Sequence, residues 1–413
     1  MNIQKFLDDY GKSRQLSGTI MVSQNDTIVA NQSFGFSDRC ENIKCYTDTQ
    51  YLIGSVTKQF TAVALLRALY DRAIASGLVK DNLLVAEKRI NKYLNEPISN
   101  YLPAEHEIWA ASMPKWANIV TLHQLLIHSS GIINYTSLPE FKDTFLNPPK
   151  MPALVSYFKN NDLDFPIGSK HSYSNSGYLL LGEIIQQISN QTLDAYLEQT
   201  FFKPLNMSAT FLATKGTVHD LKKINRFKKL ARGYEVDIAS DKPTIKEVEK
   251  YCHMQIPGAA GSMVSTASDL LLWNSALYAG VVLPNFLLDL MQKPHIKMND
   301  STDESYGYGI EVILNPTLGT IYCHGGSIDG FVARLVYIPS IKLSIACLSN
   351  IAKNLEKLEP EINKIKTQLP ADINPSEAFK ILDAELSKKF PAIITNKDRY
   401  FTTEFATSLV QIL

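Results

Sequence analysis

Three serines are each followed by a lysine three residues later, a spacing that can pair a nucleophile with a base. The pairs are Ser55 with Lys58, Ser112 with Lys115, and Ser156 with Lys159. Positions i and i+3 lie on one face of a helix, so the lysine can lie beside the serine hydroxyl. A partly desolvated lysine loses its proton near neutral pH and can act as the base. The motif is short enough to occur by chance, so the surrounding sequence has to separate the three pairs.

The surroundings favour Ser55. It follows a strand-like segment, Tyr51–Ile53, and comes just before a long apolar pattern at helical spacing. A serine at such a point lies near the positive end of the helix dipole, which favours a developing alkoxide. The second pair encloses a proline, and Ser156 begins no long helix. From this motif alone, Ser55 as a helix cap with Lys58 at the surface stays an open alternative.

A second candidate is the tyrosine-serine-asparagine sequence that begins at Tyr173. It lies in a polar, turn-like segment, 171–177, directly before the helical pattern of 178–188. Such a tyrosine can relay a proton between nucleophile and leaving group if a nearby cation lowers its pKa. Asn175 can donate a hydrogen bond to a substrate carbonyl. The same pattern at residues 93–95 lies within a helical stretch, and a plain polar turn remains the alternative for Tyr173.

The third candidate is the run His324, Gly325, Gly326 and Ser327, which ends the strand-like segment 320–323. Two glycines at a strand end allow another backbone or a ligand to approach closely. A free backbone N–H there can form one arm of an oxyanion hole, with the N–H of the nucleophile as the other. A simple two-glycine turn is the alternative.

The elements that position these residues divide the chain into three parts. Residues 3–13 are periodic like a helix, and 19–23 with 27–36 read as a β-hairpin. Residues 56–290 are mainly helical, including a helix at 266–279 that Ser265 or Thr266 caps. Strand-like runs follow at 306–314, 319–324, 331–338 and 343–348. We therefore expect an α+β fold in which the early hairpin and the late strands form one antiparallel sheet.

The expected domains follow from this order. Residues 1–54 and 300–369 form the sheet domain, and 55–299 form an inserted, mainly helical domain that carries Ser55, Lys58 and Tyr173. Residues 370–413 are an extra C-terminal segment of unknown role.

Composition excludes several classes of function. The 41 basic and 41 acidic residues cancel, so no basic face for nucleic acid is expected. The most apolar stretch, 270–283, is too short for a membrane span. The five cysteines are too few and too scattered for a disulfide framework. No metal-ligand spacing and no phosphate-binding loop occurs, so neither a metal nor another cofactor is expected. No signal peptide is visible, which indicates a cytoplasmic protein, or a periplasmic or secreted one if a leader was removed.

Taken together, the three motifs in this order resemble those of the penicillin-recognising serine hydrolases, most of all the class C β-lactamase and DD-peptidase branch. Four further stretches within residues 10–350 are similar to that family: 51–61, 125–131, 231–234 and 261–269. The resemblance implies a sandwich with a central antiparallel sheet flanked by helices. It also implies an inserted, mostly helical domain, with the site in the cleft between them.

The resemblance also implies roles for individual residues. Ser55 would be the acylated nucleophile, and Lys58 and Tyr173 would share the role of base. Asn175 would position both the substrate and Lys58. The backbone N–H groups of Ser55 and Ser327 would form the oxyanion hole, with His324, Gly325 and Gly326 beside the substrate.

One departure from the pattern concerns His324, which stands where the β-lactamase motif Lys-Thr-Gly has its lysine. A histidine is at most partly charged at pH 7, so a fixed cation for a substrate carboxylate is missing. His-Gly-Gly is more similar to the esterase, D-amino-acid amidase and mitochondrial β-lactamase-like members.

We therefore expect a serine hydrolase that cleaves an amide, ester or lactam in a small molecule or peptide, as a peptidase or esterase rather than a β-lactamase. The alternative is a weak or inactive relative that acts in binding or assembly. The oligomeric state stays open.

Overall fold

The structure, a computed structural model, describes residues 3–13, 16–77, 83–110, 112–144, 148–237, 244–299, 303–352 and 363–370, together with 381 and 385. The expected C-terminal segment, 370–413, therefore lies almost wholly outside the described residues. The helices are α1 (Ile3–Ser13), α2 (Thr57–Ala75), α3 (Leu83–Leu94), α4 (Leu122–Leu126), α5 (Met151–Lys159), α6 (Asn175–Ser189), α7 (Leu193–Leu197), α8 (Val218–Leu221), α9 (Gly258–Gly261), α10 (Ala267–Tyr278) and α11 (Asn285–Gln292).

Eight strands form one antiparallel sheet in the order β10-β11-β12-β13-β14-β15-β1-β2. The strands are β1 (Gly18–Gln24), β2 (Thr27–Phe34), β3 (Phe36–Asp38), β4 (Ile43–Lys44), β5 (Tyr51–Leu52), β6 (Phe211–Leu212), β7 (Tyr234–Asp237), β8 (Thr244–Glu247), β9 (Met263–Ser265), β10 (Ile296–Lys297), β11 (Glu304–Tyr306), β12 (Glu311–Asn315), β13 (Gly319–Ile328), β14 (Phe331–Ile338), β15 (Leu343–Ser349) and β16 (Ile351–Ala352). β1 pairs with β15 from Gly18 opposite Ser349 to Gln24 opposite Leu343. The predicted joining of the early hairpin to the late strands is confirmed.

Both faces of the sheet are covered. Side chains alternate between the two faces along each strand, and each face packs into a core of its own. Met21, Leu335 and Ala346 belong to the large core beneath the helices. Their neighbours Ile20, Val336 and Ile345 point to the other face, into a smaller core that Leu7 of α1 helps to close. Helices therefore lie on both sides of a central antiparallel sheet, as expected for an α+β sandwich.

Several predicted elements are confirmed residue by residue. α1 occupies 3–13, and the hairpin turn uses Asn25 and Asp26 at φ of 49° and 61°, a conformation that these residues tolerate. α10 begins after Thr266, whose side-chain oxygen accepts the Asp269 N–H at 3.2 Å.

The predicted strand 306–314 is instead two strands, β11 and β12, because the chain turns at residues 307–310. The mainly helical region also contains the short strands β6 to β9.

α2 is the element that anchors the site. It is buried nearly all the way round, which is typical of a helix in the centre of a large core. Phe60 stacks on Trp273 of α10 with ring centroids 4.1 Å apart. The N-terminal end of α2 faces β13, so the residues before Thr57 meet the end of the sheet. No helix in the described parts of the chain is long and apolar enough to cross a membrane.

Candidate active site

Ser55 lies in a single 3₁₀ turn, Gly54–Val56, which connects β5 to α2. The turn is fixed from one side by β9, since the Ile53 N–H donates to Met263 O at 2.9 Å. Gly54 has φ of +49°, and a Cβ there would lie 2.8 Å from the Ser327 nitrogen. Glycine is therefore required where the chain turns sharply beside β13. Ser55 therefore lies in the turn directly before α2 and not within that helix.

Lys58 is completely buried in the first turn of α2. Its Nζ lies 3.1 Å from Ser55 Oγ, 2.7 Å from Asn175 Oδ1 and 2.8 Å from the backbone oxygen of Ala260. No described carboxylate lies within ion-pair distance of this amine, and burial lowers the pKa of Lys58 well below its usual range. Burial therefore favours the neutral amine of Lys58, and the alternative of a surface lysine is wrong.

The contacts of Lys58 orient its lone pair. A neutral amine has two hydrogens, and the two oxygens of Asn175 and Ala260 can only accept hydrogen bonds. Both hydrogens are thereby engaged, which leaves the lone pair for the third neighbour, Ser55 Oγ. The serine hydroxyl can then donate to Lys58 Nζ, which is the arrangement that general-base activation of a serine requires.

Tyr173 enters the site from the loop before α6, and the centroid of its ring lies 4.7 Å from Lys58 Nζ. Its buried hydroxyl makes no hydrogen bond with any residue that the structure describes. Burial raises the pKa of Tyr173 above its usual range, although the neighbouring Ser55 hydroxyl opposes part of that rise. The condition of a nearby cation that lowers this pKa is not met, because burial disfavours the charged form of Lys58 as well. Tyr173 is a phenol that can donate a proton.

Asn175 is the first residue of α6, and three hydrogen bonds fix its orientation. Its backbone N–H donates to Asn134 Oδ1 at 3.0 Å, and its side-chain Nδ2 donates to Thr136 Oγ1 at 3.2 Å. Its Oδ1 is thereby turned toward Lys58. The asparagine consequently positions the amine of Lys58. Asn175 also lines the cavity in front of Ser55.

The glycines of β13 bring its backbone against the turn that carries Ser55. β12 pairs only with residues 319–323 of β13, so the edge of β13 beyond Cys323 is open to that turn. A Cβ at Gly326 would lie 2.0 Å from Ile53 O and 2.9 Å from the Ser55 nitrogen. Only glycine permits this approach.

The register of the β13–β14 hairpin determines where the Ser327 N–H points. Ile328 and Phe331 flank a two-residue turn, so they form a hydrogen-bonded pair. Hydrogen-bonded and non-bonded pairs alternate in an antiparallel ladder, which makes Ser327 and Val332 a non-bonded pair. The Ser327 N–H therefore points away from β14, toward Ser55, where an oxyanion hole needs it.

His324 lies beneath this surface and is only 2% exposed. Its Nε2 contacts Tyr306 Oη at 2.8 Å, and its Nδ1 contacts Gly325 O at 2.6 Å. Burial lowers the pKa of His324 to about 4, which agrees with the expectation that this position offers no fixed cation at pH 7. Arg334, opposite Gly325 in the sheet, forms an ion pair with Glu311 at 2.9 Å.

A cavity of about 310 Å³ opens in front of Ser55. Of the predicted site residues, Ser55, Asn175 and Ser327 line it, while Lys58, Tyr173 and His324 are not part of its lining. The lining residues are Gly54, Ser55, Tyr135, Thr136, Phe141, Asn175, Cys252, Ile256, Pro257, Ala260, Gly261, Ser327, Ile328 and Asp329. No group of side chains that could hold a metal ion occurs among the residues described.

The motif analysis assigned no role to three residues of the site, although one of them, His128, lies within the family-like stretch 125–131. Ala260 contributes only a backbone oxygen, which leaves no signal in a sequence. His128 holds the Tyr173 loop from both sides: its backbone oxygen accepts the Ser172 N–H at 2.8 Å, and its Nδ1 accepts the Ser174 N–H at 3.1 Å. Asp329 lines the cavity, and the pair Asp329-Gly330 is a hairpin signal that could have located it.

Comparisons with known proteins identify the family of this chain. The family model described as Beta-lactamase matches residues 3–366, so the chain belongs to the beta-lactamase family. Penicillin-binding protein 4* of Bacillus subtilis (strain 168) is 22% identical over 372 residues, which cover 86% of this chain and 72% of that protein.

Two further relatives extend the comparison. Protein flp of Staphylococcus aureus (strain MRSA252) is 24% identical over 365 residues, covering 87% of this chain and 64% of that protein, so this chain spans less than two thirds of its length. The structure of D-amino acid amidase from Ochrobactrum anthropi SV3 complexed with L-phenylalanine superposes with a TM-score of 0.66 at 21% identity. That match covers 89% of this chain and 98% of the amidase chain, and it is a likeness of fold.

Proposed function

We propose that this protein is a serine hydrolase that cleaves amide or ester bonds through a covalent acyl intermediate on Ser55. The observation that carries the proposal is the environment of Lys58. A completely buried lysine, with two oxygens accepting its hydrogens and Ser55 Oγ at 3.1 Å, is arranged to deprotonate that serine. Of the three neighbours of the amine, Ser55 Oγ alone is a hydroxyl that can also donate a hydrogen bond to it.

In the first step Ser55 Oγ attacks the substrate carbonyl carbon while its proton passes to Lys58 Nζ. The carbonyl electron pair moves to oxygen, and the N–H groups of Ser55 and Ser327 bind the resulting oxyanion. When the bond to the leaving group breaks, Tyr173 donates the proton that the departing nitrogen or oxygen needs. Tyr173 is then reprotonated by the Lys58 ammonium. The acyl group stays bonded to Ser55.

In the second step water attacks the acyl carbon and gives its proton to the neutral Lys58. Breakdown of the second tetrahedral intermediate returns the proton to Ser55 Oγ and releases the carboxylic acid. No metal or other cofactor is needed for either step. Asn175 Oδ1 and Ala260 O keep the lysine amine aligned in both steps.

The surroundings of the cavity support amides and esters over β-lactams. A β-lactam antibiotic carries a carboxylate, and His324 is neutral and buried where a cation would be needed. Among the described residues that line the cavity, none is a lysine, arginine or histidine. The fold likeness to D-amino acid amidase is compatible with this choice.

The test is covalent labelling with a fluorophosphonate probe, which reacts with activated serines. We expect labelling of the wild-type protein and its loss in Ser55→Ala. Ser156→Ala is the matched control, because Ser156 has the same spacing to a buried lysine but lies in another helix. Labelling of Ser55→Ala at the wild-type level would refute the assignment, and a wild-type protein that is not labelled would favour a binding or assembly role.

A further inference from the structure

Asp329 is the feature of the cavity that the proposed mechanism does not use. It occupies the first position of the two-residue turn between β13 and β14, where Asp329 has φ of 45° and Gly330 has φ of 83°. Both positive values match a type I′ turn, in which aspartate followed by glycine is favoured. The turn places the Asp329 carboxyl two residues beyond Ser327, on the wall of the cavity that contains Ser55.

The carboxyl is fixed by one oxygen and leaves the other without a protein partner. Oδ2 accepts the backbone N–H of Cys252 at 2.7 Å. Oδ1 makes no hydrogen bond with any residue described in the structure. A carboxylate can accept several hydrogen bonds, so one oxygen is left for a ligand. The bond to Cys252 holds the group in place before any ligand arrives.

Asp329 also lacks a cation. The described cavity lining contains no lysine, arginine or histidine, and burial disfavours the charged form of Lys58. Burial, together with a smaller effect of the nearby Glu235, raises the pKa of Asp329 to about 7, although the hydrogen bond from Cys252 opposes part of that rise. A carboxylate that is this poorly compensated gains more from a cationic partner than an exposed one does.

The distances suit a short amine. Two residues of extended chain span about 6–7 Å. A substrate whose carbonyl oxygen binds the Ser327 N–H can therefore bring an amine that is two bonds from the carbonyl carbon to Asp329. An α-amino group meets this requirement, and its pKa of about 8 keeps it mostly protonated at pH 7.

We propose that Asp329 is the binding site for a protonated amine of the acyl substrate, so that the preferred substrates are amides or esters of amino acids with a free α-amino group. This inference rests on the proposed function for its catalytic part. The structural role of Asp329, its bond to Cys252, uses one oxygen only and does not account for a carboxylate that faces the cavity.

The kinetic test compares two substrates that differ only in the amine: alanine p-nitroanilide, as both enantiomers, and propionic acid p-nitroanilide. At pH 7 we expect the wild-type kcat/KM to be about ten- to a hundredfold higher for one alanine enantiomer, the effect of one charge-assisted hydrogen bond. Asp329→Asn should bring the ratio of the two kcat/KM values close to one. The exposed Asp162→Asn is the control and should leave the ratio unchanged.

A second measurement reads the amine site without turnover. Calorimetry with Ser55→Ala, which cannot form the acyl intermediate, should show tighter binding of alaninamide than of propionamide, and Ser55→Ala with Asp329→Asn should not. If this difference appears while the wild type hydrolyses neither anilide, the amine site stands and the proposed hydrolase function fails. Equal binding of the two amides, or equal loss of kcat/KM for both anilides in Asp329→Asn, would overturn the inference.

Discussion

Two serine–lysine pairs in this molecule share the same spacing and the same burial of the lysine. Lys58 and Lys159 are 0% and 5% exposed. Yet only Lys58 lies beside its serine. The amine of Lys159 donates to the backbone oxygens of Trp109 and Ser112, and the hydroxyl of Ser156 donates to Pro152 O in the preceding turn of α5 at 2.9 Å.

The difference lies in where each serine stands relative to its helix. Ser156 is inside α5, so the backbone oxygen four residues earlier takes up its hydroxyl. Ser55 precedes α2, and no helical carbonyl competes for its hydroxyl. A serine before the helix stays available to the lysine one turn later, and a serine within the helix does not.

The largest effect should come from the catalytic pair itself. We expect Lys58→Ala and Tyr173→Phe each to lower the rate of acylation by at least about a hundredfold, the usual scale for removing an acid–base group. Because the two side chains handle the same proton, the double variant should lose far less than the product of the single losses. Stopped-flow measurement with an amino acid p-nitroanilide gives the rate, because the departing anilide nitrogen needs the proton that Tyr173 donates. Strictly multiplicative losses would place the two residues in different steps.

Lys159 should behave in the opposite way. Lys159→Met removes the donor for the oxygens of Trp109 and Ser112, so we expect the free energy of unfolding to fall by about 1–3 kcal/mol. Urea denaturation measures this loss. The acylation rate of the folded variant should equal that of the wild type. A rate as low as that of Lys58→Ala would remove the distinction between the two pairs.

The depressed pKa of Lys58 should also be visible in stability. Burial lowers the pKa of folded Lys58 below the value of about 10.4 in the unfolded chain, so between these two pKa values the folded state binds one proton fewer. The wild-type free energy of unfolding therefore gains up to about 1.4 kcal/mol per pH unit as pH rises between the folded and unfolded pKa values. Lys58→Met lacks this contribution.

Urea denaturation of both proteins at pH 7, 8 and 9 tests that expectation. The free energy of unfolding of Lys58→Met, relative to the wild type, should decrease steadily over this range. Parallel curves for the two proteins would mean that Lys58 is charged in the folded state and cannot be the base.

The smallest expected effect concerns His324. Because the pKa of His324 is about 4, its charge does not change between pH 5.5 and 8.5. Asp329, whose pKa is about 7, also lines the cavity, so the measurement uses Asp329→Asn. In that variant we expect the kcat/KM ratio for a matched pair of esters, one with and one without a carboxylate, to stay constant from pH 8.5 to pH 5.5. A preference for the carboxylate that grows toward pH 5.5 in Asp329→Asn would show that His324 titrates there and faces the substrate.

These results define what the sequence can and cannot predict. The antiparallel sheet, its joining of the early hairpin to the late strands, and the strand-to-helix surroundings of Ser55 followed from local periodicity and turn residues, but the register between β1 and β15 did not. The low pKa of His324 could not be predicted from the sequence. It results from the burial of the imidazole beside Tyr306, which only the folded structure shows. The contact of Lys58 with Ala260 could not be predicted either, because it uses a backbone oxygen that any residue at that position would supply.

The central claim is that Lys58 activates Ser55 for covalent catalysis. The most direct measurement is mass spectrometry of the protein quenched during turnover of p-nitrophenyl acetate, followed by peptide mapping. We predict one acetyl group on the peptide that contains Ser55, and no acetyl group in Lys58→Ala quenched at the same time. Acetyl groups on other serines with Ser55 unmodified, or equal acetylation of Ser55 in Lys58→Ala, would contradict the account.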